Sequence, residues 1–231
     1  MTLFEQTLSE KLTLLGISHD AALLGRCNEY FEHVNEANQH LNLTRITDAA
    51  QAAEQHFADA MALCAVFDMP KGCRVIDIGT GAGFPGVPLK LLRNDIQLWL
   101  LDASGKKTDF IKKTRDVMSM AATVLCDRAE ELAQTDLRGS FDVVVSRAVA
   151  SLPMLLELSI PLLRIGGTLA AWKGESFEQE LTAATSAMNT LGCILASQYP
   201  VGRGAILLIQ KQKPTLNVYP RRFSKIKSQP L

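Results

Sequence analysis

The segment Arg74-Val75-Ile76-Asp77-Ile78-Gly79-Thr80-Gly81-Ala82-Gly83-Phe84-Pro85-Gly86 gathers the residue types that could hold a nucleotide. An apolar, β-branched run feeds a glycine-rich turn, and glycine lets such a turn adopt positive φ and lets a ligand approach bare backbone. A phosphate loop of the G-x-x-x-x-G-K-[ST] type needs lysine after its last glycine, but Gly86 is followed by Val87 and Pro88, which excludes the NTPase reading. The dinucleotide fingerprint G-x-G-x-x-G needs glycine where Phe84 stands, and Phe84 sets apolar surface where a pyrophosphate needs backbone. Asp77 places a carboxylate at the strand end, two residues before Gly79. That charge suits the cationic aminoacyl end of S-adenosylmethionine better than a polyanion, so Asp77, Gly79 and Gly81 are candidate cofactor residues.

Three further strand ends carry candidates. The run Ile96 to Leu101 ends in Asp102, 23 residues beyond Gly79, where a carboxylate can accept hydrogen bonds from ribose hydroxyls. The same residue could serve as a helix cap in Asp102-Ala103-Ser104. After Cys126 comes Asp127-Arg128-Ala129-Glu130, a turn that borders adenine in this kind of sheet or starts an ordinary helix with acids in its first turn. After Val145 comes Ser146-Arg147-Ala148-Val149, at the place where a methyl acceptor sits. Neither the polar-Pro-Pro-aromatic tetrad of exocyclic-amine methylation nor the Pro-Cys pair of pyrimidine-carbon methylation is present, so the acceptor is expected to be nucleophilic already. Arg147 is the candidate side chain beside it, with an ion pair to Asp142 or Glu130 as the structural alternative.

These candidates need a sheet to position them. From about residue 69 onward, short β-branched runs alternate with helical stretches, which predicts an α/β fold with a mostly parallel, Rossmann-like sheet of the class I methyltransferase type. Strands are expected near 74–78, 96–101, 122–126, 141–146 and 167–172, and helices near 86–93, 105–119, 129–135, 151–163 and 175–191. Residues 193–199 and 205–211, joined by a Pro-Val-Gly-Arg-Gly turn, read as a hairpin that adds one antiparallel strand. Residues 1–68 read as an N-terminal helical extension, with a third helix from Ala49 to Phe67 ended by the Met69-Pro70-Lys71-Gly72 turn. The division expected is a helical extension over 1–68, a cofactor-binding domain over 69–213 and a basic tail over 214–231.

Composition excludes other classes. With 47% hydrophobic and 21% charged residues and no low-complexity tract, the chain is a folded one. The N-terminus carries no secretory pattern and no apolar run approaches a membrane span, which predicts a cytoplasmic protein without membrane contact. Five scattered cysteines without a C-x-x-C pair predict neither disulfides nor a metal site. The formal charge of zero hides an asymmetry: residues 1–70 hold ten acids against three Lys or Arg, while the last 21 residues hold Lys211, Lys213, Arg221, Arg222, Lys225 and Lys227 and no acid. That end reads as phosphate-binding or as a solvated, frayed terminus.

Asn42-Leu43-Thr44, the GTGAGFPG of Gly79 to Gly86 with Pro88-Leu89, Arg128-Ala129-Glu130, Ser146-Arg147-Ala148-Val149-Ala150, Lys173-Gly174 and Tyr219-Pro220-Arg221 together resemble the RsmG family, formerly GidB, over nearly the whole chain. The tail departs from the family pattern beyond Arg222. The resemblance implies a cytoplasmic enzyme that methylates N7 of a guanine in 16S ribosomal RNA, with the RNA or the small ribosomal subunit as partner and S-adenosyl-L-methionine as cofactor. It also implies cofactor contacts at Gly79, Phe84, Ala129, Glu130 and Arg147. Guanine N7 offers a free lone pair and carries no proton, so displacement there needs positioning more than a base. No histidine is then required, and His19, His33, His40 and His56 read as packing or surface residues, with His56 the one able to face the cleft. Lys173, Arg221 and Arg222 are candidate phosphate contacts. Three readings stay open beside this one: a methyltransferase of the same fold acting on a small molecule or protein, a nicotinamide-dependent oxidoreductase, and a binding module without turnover.

Overall fold

The computed structural model describes all 231 residues. Helices α1 (Leu3–Leu14) and α2 (Ala21–Leu41) open the chain, each started by a side-chain cap. Thr2 and Glu5 cap each other reciprocally, and Asp20 accepts from the Leu23 amide. The expected third helix is interrupted. Short α3 (Ala49–Ala52), a π-helical turn (Ala53–Ala58), α4 (Asp59–Met61) and α5 (Leu63–Val66) follow one another over the same residues.

A seven-stranded sheet follows, formed by β1 (Arg74–Ile78), β2 (Gln97–Asp102), β3 (Ala122–Cys126), β4 (Phe141–Arg147), β5 (Leu163–Lys173), β6 (Cys193–Val201) and β7 (Gly204–Lys211). Its order is β3-β2-β1-β4-β5-β7-β6, and every adjacent pair is parallel except those made by β7. The single antiparallel strand does not close the sheet at its edge but lies between β5 and β6. Strands β1 and β4 are buried on both faces, which is why their sequences are apolar runs rather than alternating patterns. Chain direction across the sheet reverses between β1 and β4, the switch point where ligands bind such sheets.

The connecting helices are α6 (Gly86–Leu92), α7 (Gly105–Val117), α8 (Ala129–Leu132), α9 (Leu152–Ser159), α10 (Phe177–Ala183) and α11 (Thr185–Leu191). The helix expected over 175–191 is thus two. The Thr182 and Thr185 hydroxyls bond back to Glu178 O and Thr182 O, and the Ala184 amide is shared between Glu180 O and Leu181 O, which tightens and ends the first helix. A last helix, α12 (Phe223–Ser228), stands where sequence showed only a basic terminus, and its Ile226 is fully buried.

One core joins the N-terminal helices to one face of the sheet: Phe4, Tyr30 and Phe57 pack in the same cluster as Phe84, Val143 and Trp172. The opposite face is covered by α9, α11 and α12 through Leu155, Leu156, Leu191 and Ile226. No helix is long and apolar enough to cross a membrane.

Candidate active site

The glycine turn leaves β1 at Ile78, beside the ends of β2 and β4. The fully buried Asp77 organises it: Oδ2 accepts from Thr80 Oγ1 (2.7 Å) and from the Gly86 amide (2.9 Å), while Oδ1 has no partner. Burial pushes this carboxyl up to about 7, against the hydrogen bonds and the Arg147 charge that favour its ionised form. Glycine is needed here for two different reasons. Gly79 (φ +66°), Gly81 (φ +60°) and Gly83 (φ +90°) hold a positive φ that favours glycine, and a Cβ on Gly79 would also collide with Val149. Gly83 and Gly86 yield space to the protein itself: a Cβ on Gly83 would collide with the Tyr30 hydroxyl, and one on Gly86 would lie 2.8 Å from Asp77 Oδ2. Sequence reading assigned bare backbone to a ligand, and at these two positions it is taken by α2 and by Asp77.

A cavity of about 220 Å³ opens beside the turn, lined among others by Gly79, Asp102, Ala129 and Glu130. Four of the predicted residues therefore meet in one space. Asp102 is tied into it by Oδ2, which accepts from the Gly81 amide at 3.0 Å, and by Oδ1, which accepts from the Ser104 amide at 2.9 Å. Asp102 lines the cavity but does not cap α7, whose N-cap is Ser104 without a side-chain hydrogen bond. Ala129 and Glu130 do begin a helix, yet both are buried against the cavity.

Phe84 and Arg147 lie apart from that cavity, at the contact between the sheet and the N-terminal helices. Phe84 is packed edge-to-face by Tyr30 and Phe57, stacked on His56 (4.6 Å, 21°) and covered by the Arg147 guanidinium at 5.5 Å. Tyr30 also donates to Ala82 O at 2.7 Å, so α2 holds the turn from below. Arg147 does not pair with Asp142 or Glu130. Asp142 accepts instead from the Arg74 amide and from Arg164, and Glu130 faces Arg128. Arg147 reaches the π-helical turn, where Nη1 donates to Gln55 O (2.7 Å) and Nη2 to His56 Nδ1 (3.1 Å). A guanidinium only donates, so His56 Nδ1 accepts and its Nε2–H donates to Thr44 Oγ1 at 2.8 Å. Burial, then the Arg147 charge, pull this imidazole down to about 4. Thr44 is in turn pinned by Asn38, which bonds both its amide and its carbonyl. The Asn42-Leu43-Thr44 motif thus positions His56, a link that spacing alone does not reveal.

Beyond Arg147 a second cleft, of about 770 Å³, opens at the ends of β4 and β5 and the β6–β7 turn, with Glu54, Asp59, Arg147, Glu175 and Arg203 on its walls. Lys173 lies in this cleft, but its Nζ donates to Glu180 (2.7 Å) and to Ala150 O, so its charge is committed. Two basic residues near the C-terminus are likewise occupied. Arg221 forms a two-pronged pair with the fully buried Glu157 (2.8 and 2.6 Å), and buried Lys211 caps Ile160 O and Leu163 O. Arg222, Lys225 and Lys227 remain exposed. Sequence reasoning missed Val149, Met154, Leu158 and Phe223, which complete the cavity wall. Met154 and Leu158 carry no signal beyond apolarity, Val149 stands in the Ser146-to-Ala150 run without being singled out there, and Phe223 was hidden among charges.

Comparison with known proteins agrees with this geometry. The family model described as GidB, rRNA small subunit methyltransferase G, matches residues 24–205. The chain is 35% identical over 239 residues to ribosomal RNA small subunit methyltransferase G of Halalkalibacterium halodurans, covering 100% of this chain and 99% of that protein. Among solved structures, a ribosomal protein L11 methylase from Lactobacillus delbrueckii subsp. bulgaricus superposes with a TM-score of 0.54 at 22% identity, covering 69% of this chain and 79% of that one. A SAM-dependent methyltransferase from Aquifex aeolicus superposes with a TM-score of 0.54 at 15% identity, covering 71% and 93%. These structures share the class I methyltransferase fold, with its mostly parallel sheet, and the sequence matches go further: the chain belongs to the rRNA small subunit methyltransferase G family.

Proposed function

We propose that this protein transfers a methyl group from S-adenosylmethionine to N7 of a guanine in 16S ribosomal RNA, in the cytoplasm, on the RNA itself or on the small ribosomal subunit. The observation that carries the reading is Asp77, a fully buried carboxylate under the glycine turn whose Oδ1 has no partner. A buried anionic oxygen of that kind calls for a cationic hydrogen-bond donor, and an amino-acid ammonium is one, whereas a polyphosphate is not.

In this reading Asp77, Gly79 and Gly81 hold the methionine end of the cofactor. Asp102 offers its remaining lone pairs to the ribose, Ala129 and Glu130 border the adenine, and Phe84 and Arg147 stand between cofactor and acceptor. When bound, S-adenosylmethionine supplies a sulfonium methyl group open to in-line displacement. Guanine N7 needs no base, and His56 does not serve as one: both its nitrogens are committed to Arg147 and Thr44. Arg147 keeps N–H donors beyond those given to Gln55 and His56, and these suit a carboxylate or the guanine O6 next to N7. The Asp59 carboxylate opposes the positive charge that alkylation leaves on the base, whereas Glu54 and Glu175 answer Lys11 and Arg203. Residues 1–68 act as a helical extension that seats Phe84 and Arg147, residues 69–213 as the catalytic domain, and residues 214–231 as a basic tail that meets RNA phosphates through Arg222, Lys225 and Lys227.

The test is transfer of labelled methyl from S-adenosylmethionine to small ribosomal subunits and to their naked RNA, followed by mapping of 7-methylguanine through cleavage at the modified base. A single labelled guanine is the expected result. No incorporation, with cofactor bound, would move the acceptor to a small molecule or a protein.

A further inference from the structure

Part of the cavity that Ala129 and Glu130 line is walled by the end of the chain. Phe223 lines it together with Met154 and Leu158 of α9, and its ring carries the Arg128 guanidinium at 5.2 Å. Phe223, Arg128 and Glu130 also line a more polar cleft of about 630 Å³ between α8 and residues 220–223, so these three side chains border both spaces.

Phe223 is not held there loosely. Arg138 donates to Tyr219 O (2.7 Å) and Thr215 O (3.0 Å), and Gln134 donates to Pro220 O (3.1 Å). Glu157, with no exposed surface, accepts from the Arg221 amide, Nε and Nη2. Fraying the terminus would leave that buried carboxylate unpaired and would also expose Ile226, so the terminus is bound to the body at a cost no solvated tail requires. The lining that results has the composition of an adenine slot: the Phe223 ring with the apolar side chains of Met154 and Leu158, and the carboxylates of Asp127 and Glu130.

We propose that Phe223 packs its ring against the adenine of the bound cofactor, so that α12 completes the cofactor site. This rests on the reading of the cavity as the S-adenosylmethionine site. It makes one six-residue helix carry both a cofactor contact and the exposed cations Arg222, Lys225 and Lys227.

The experiment is calorimetric titration of the full-length protein with S-adenosylhomocysteine and with 5′-methylthioadenosine, which lacks the amino-acid part. Phe223→Ala is expected to weaken both by the same factor, about tenfold, within the range found for a base stacked on an aromatic ring. Phe223→Leu keeps the apolar volume and loses the ring face, so it is expected to fall between Phe223→Ala and wild type, and it stands in if Phe223→Ala does not fold. Wild-type affinity in Phe223→Leu, or a loss seen with S-adenosylhomocysteine alone, would overturn the adenine contact while leaving the cavity assignment in place. If the wild-type protein binds neither compound, the cavity assignment itself fails and the contact with it.

Discussion

At the scale of single residues, one buried and one half-buried titratable group dominate the site and pull in opposite directions. Asp77, near 7 in the folded chain against about 3.9 unfolded, keeps its proton longer when folded, so it makes stability fall as pH rises from about 4 to 7. His56, near 4 when folded against about 6.5 unfolded, is proton-poor in the folded state, so its contribution rises with pH over about 4 to 6.5 and is lost on acidification. Each slope is bounded at about 1.4 kcal/mol per pH unit, and in the wild type they largely cancel. Urea unfolding between pH 5 and 7 is therefore expected to show a falling limb in His56→Gln and a rising one in Asp77→Asn, and parallel profiles in the two variants would refute the placements. Asp77→Asn can still accept from Thr80 and Gly86 but has no charge for an ammonium group. It is expected to bind S-adenosylhomocysteine at least about tenfold more weakly at pH 8, a loss on the scale of one charge-assisted hydrogen bond. The wild-type affinity is expected to tighten from pH 6 to pH 8 as Asp77 ionises, and the variant's to stay flat.

At the scale of elements, the segments that carry the site are those that regular patterns do not describe. Ala148, directly after Arg147, holds φ +59°, a left-handed backbone that costs an alanine about 1 kcal/mol. Ala148→Gly is expected to raise stability by up to that amount in thermal unfolding while loosening the Arg147 loop and lowering kcat; a loss of stability would show that alanine's methyl packs there. Residues 214–228 are likewise an element rather than a fringe. Arg221→Ala leaves the fully buried Glu157 without its partner and is expected to cost about 3 kcal/mol, several degrees in Tm, whereas Arg222→Ala is expected to leave Tm unchanged. Equal effects of the two substitutions would mean that the ion pair does not hold the terminus. The strands β1 and β3 were legible to the residue because β-branched runs end there at Gly79 and Asp127. The π-helical turn was not, since Ala53 to Ala58 carries ordinary helix formers, and the turn meets Arg147, through Gln55 and His56, only in the folded chain.

For the molecule as a whole, the charge asymmetry of the sequence survives folding only in part. Lys211 and Arg221 are spent on internal partners, which leaves exposed Lys213 and the three cations of α12 and its N-cap, Arg222, Lys225 and Lys227. Replacing these three by alanine is expected to weaken RNA binding and to reduce the slope of log K against log salt by about two to three, since each phosphate contact contributes roughly 0.7 to 0.9. An unchanged slope would place the RNA elsewhere. Lys173→Ala is expected to leave the salt slope as it is, because its charge answers Glu180.

Local pattern was enough for the α/β architecture, the glycine turn at the end of β1 and the carboxylates at the ends of β1 and β2, because strand periodicity, glycine spacing and strand-end position are properties of neighbours along the chain. Partnership was not legible there. Arg147 meets Gln55 and His56 across 92 and 91 residues, Tyr30 meets Ala82 across 52, and Arg221 meets Glu157 across 64. Which cation is free for a ligand and which is already paired depends on those distant contacts, and so does whether a glycine faces a ligand or another side chain. Folding therefore decided that Gly83 faces Tyr30 and that Lys173 and Arg221 are paired within the protein, where residue type alone was compatible with more than one partner.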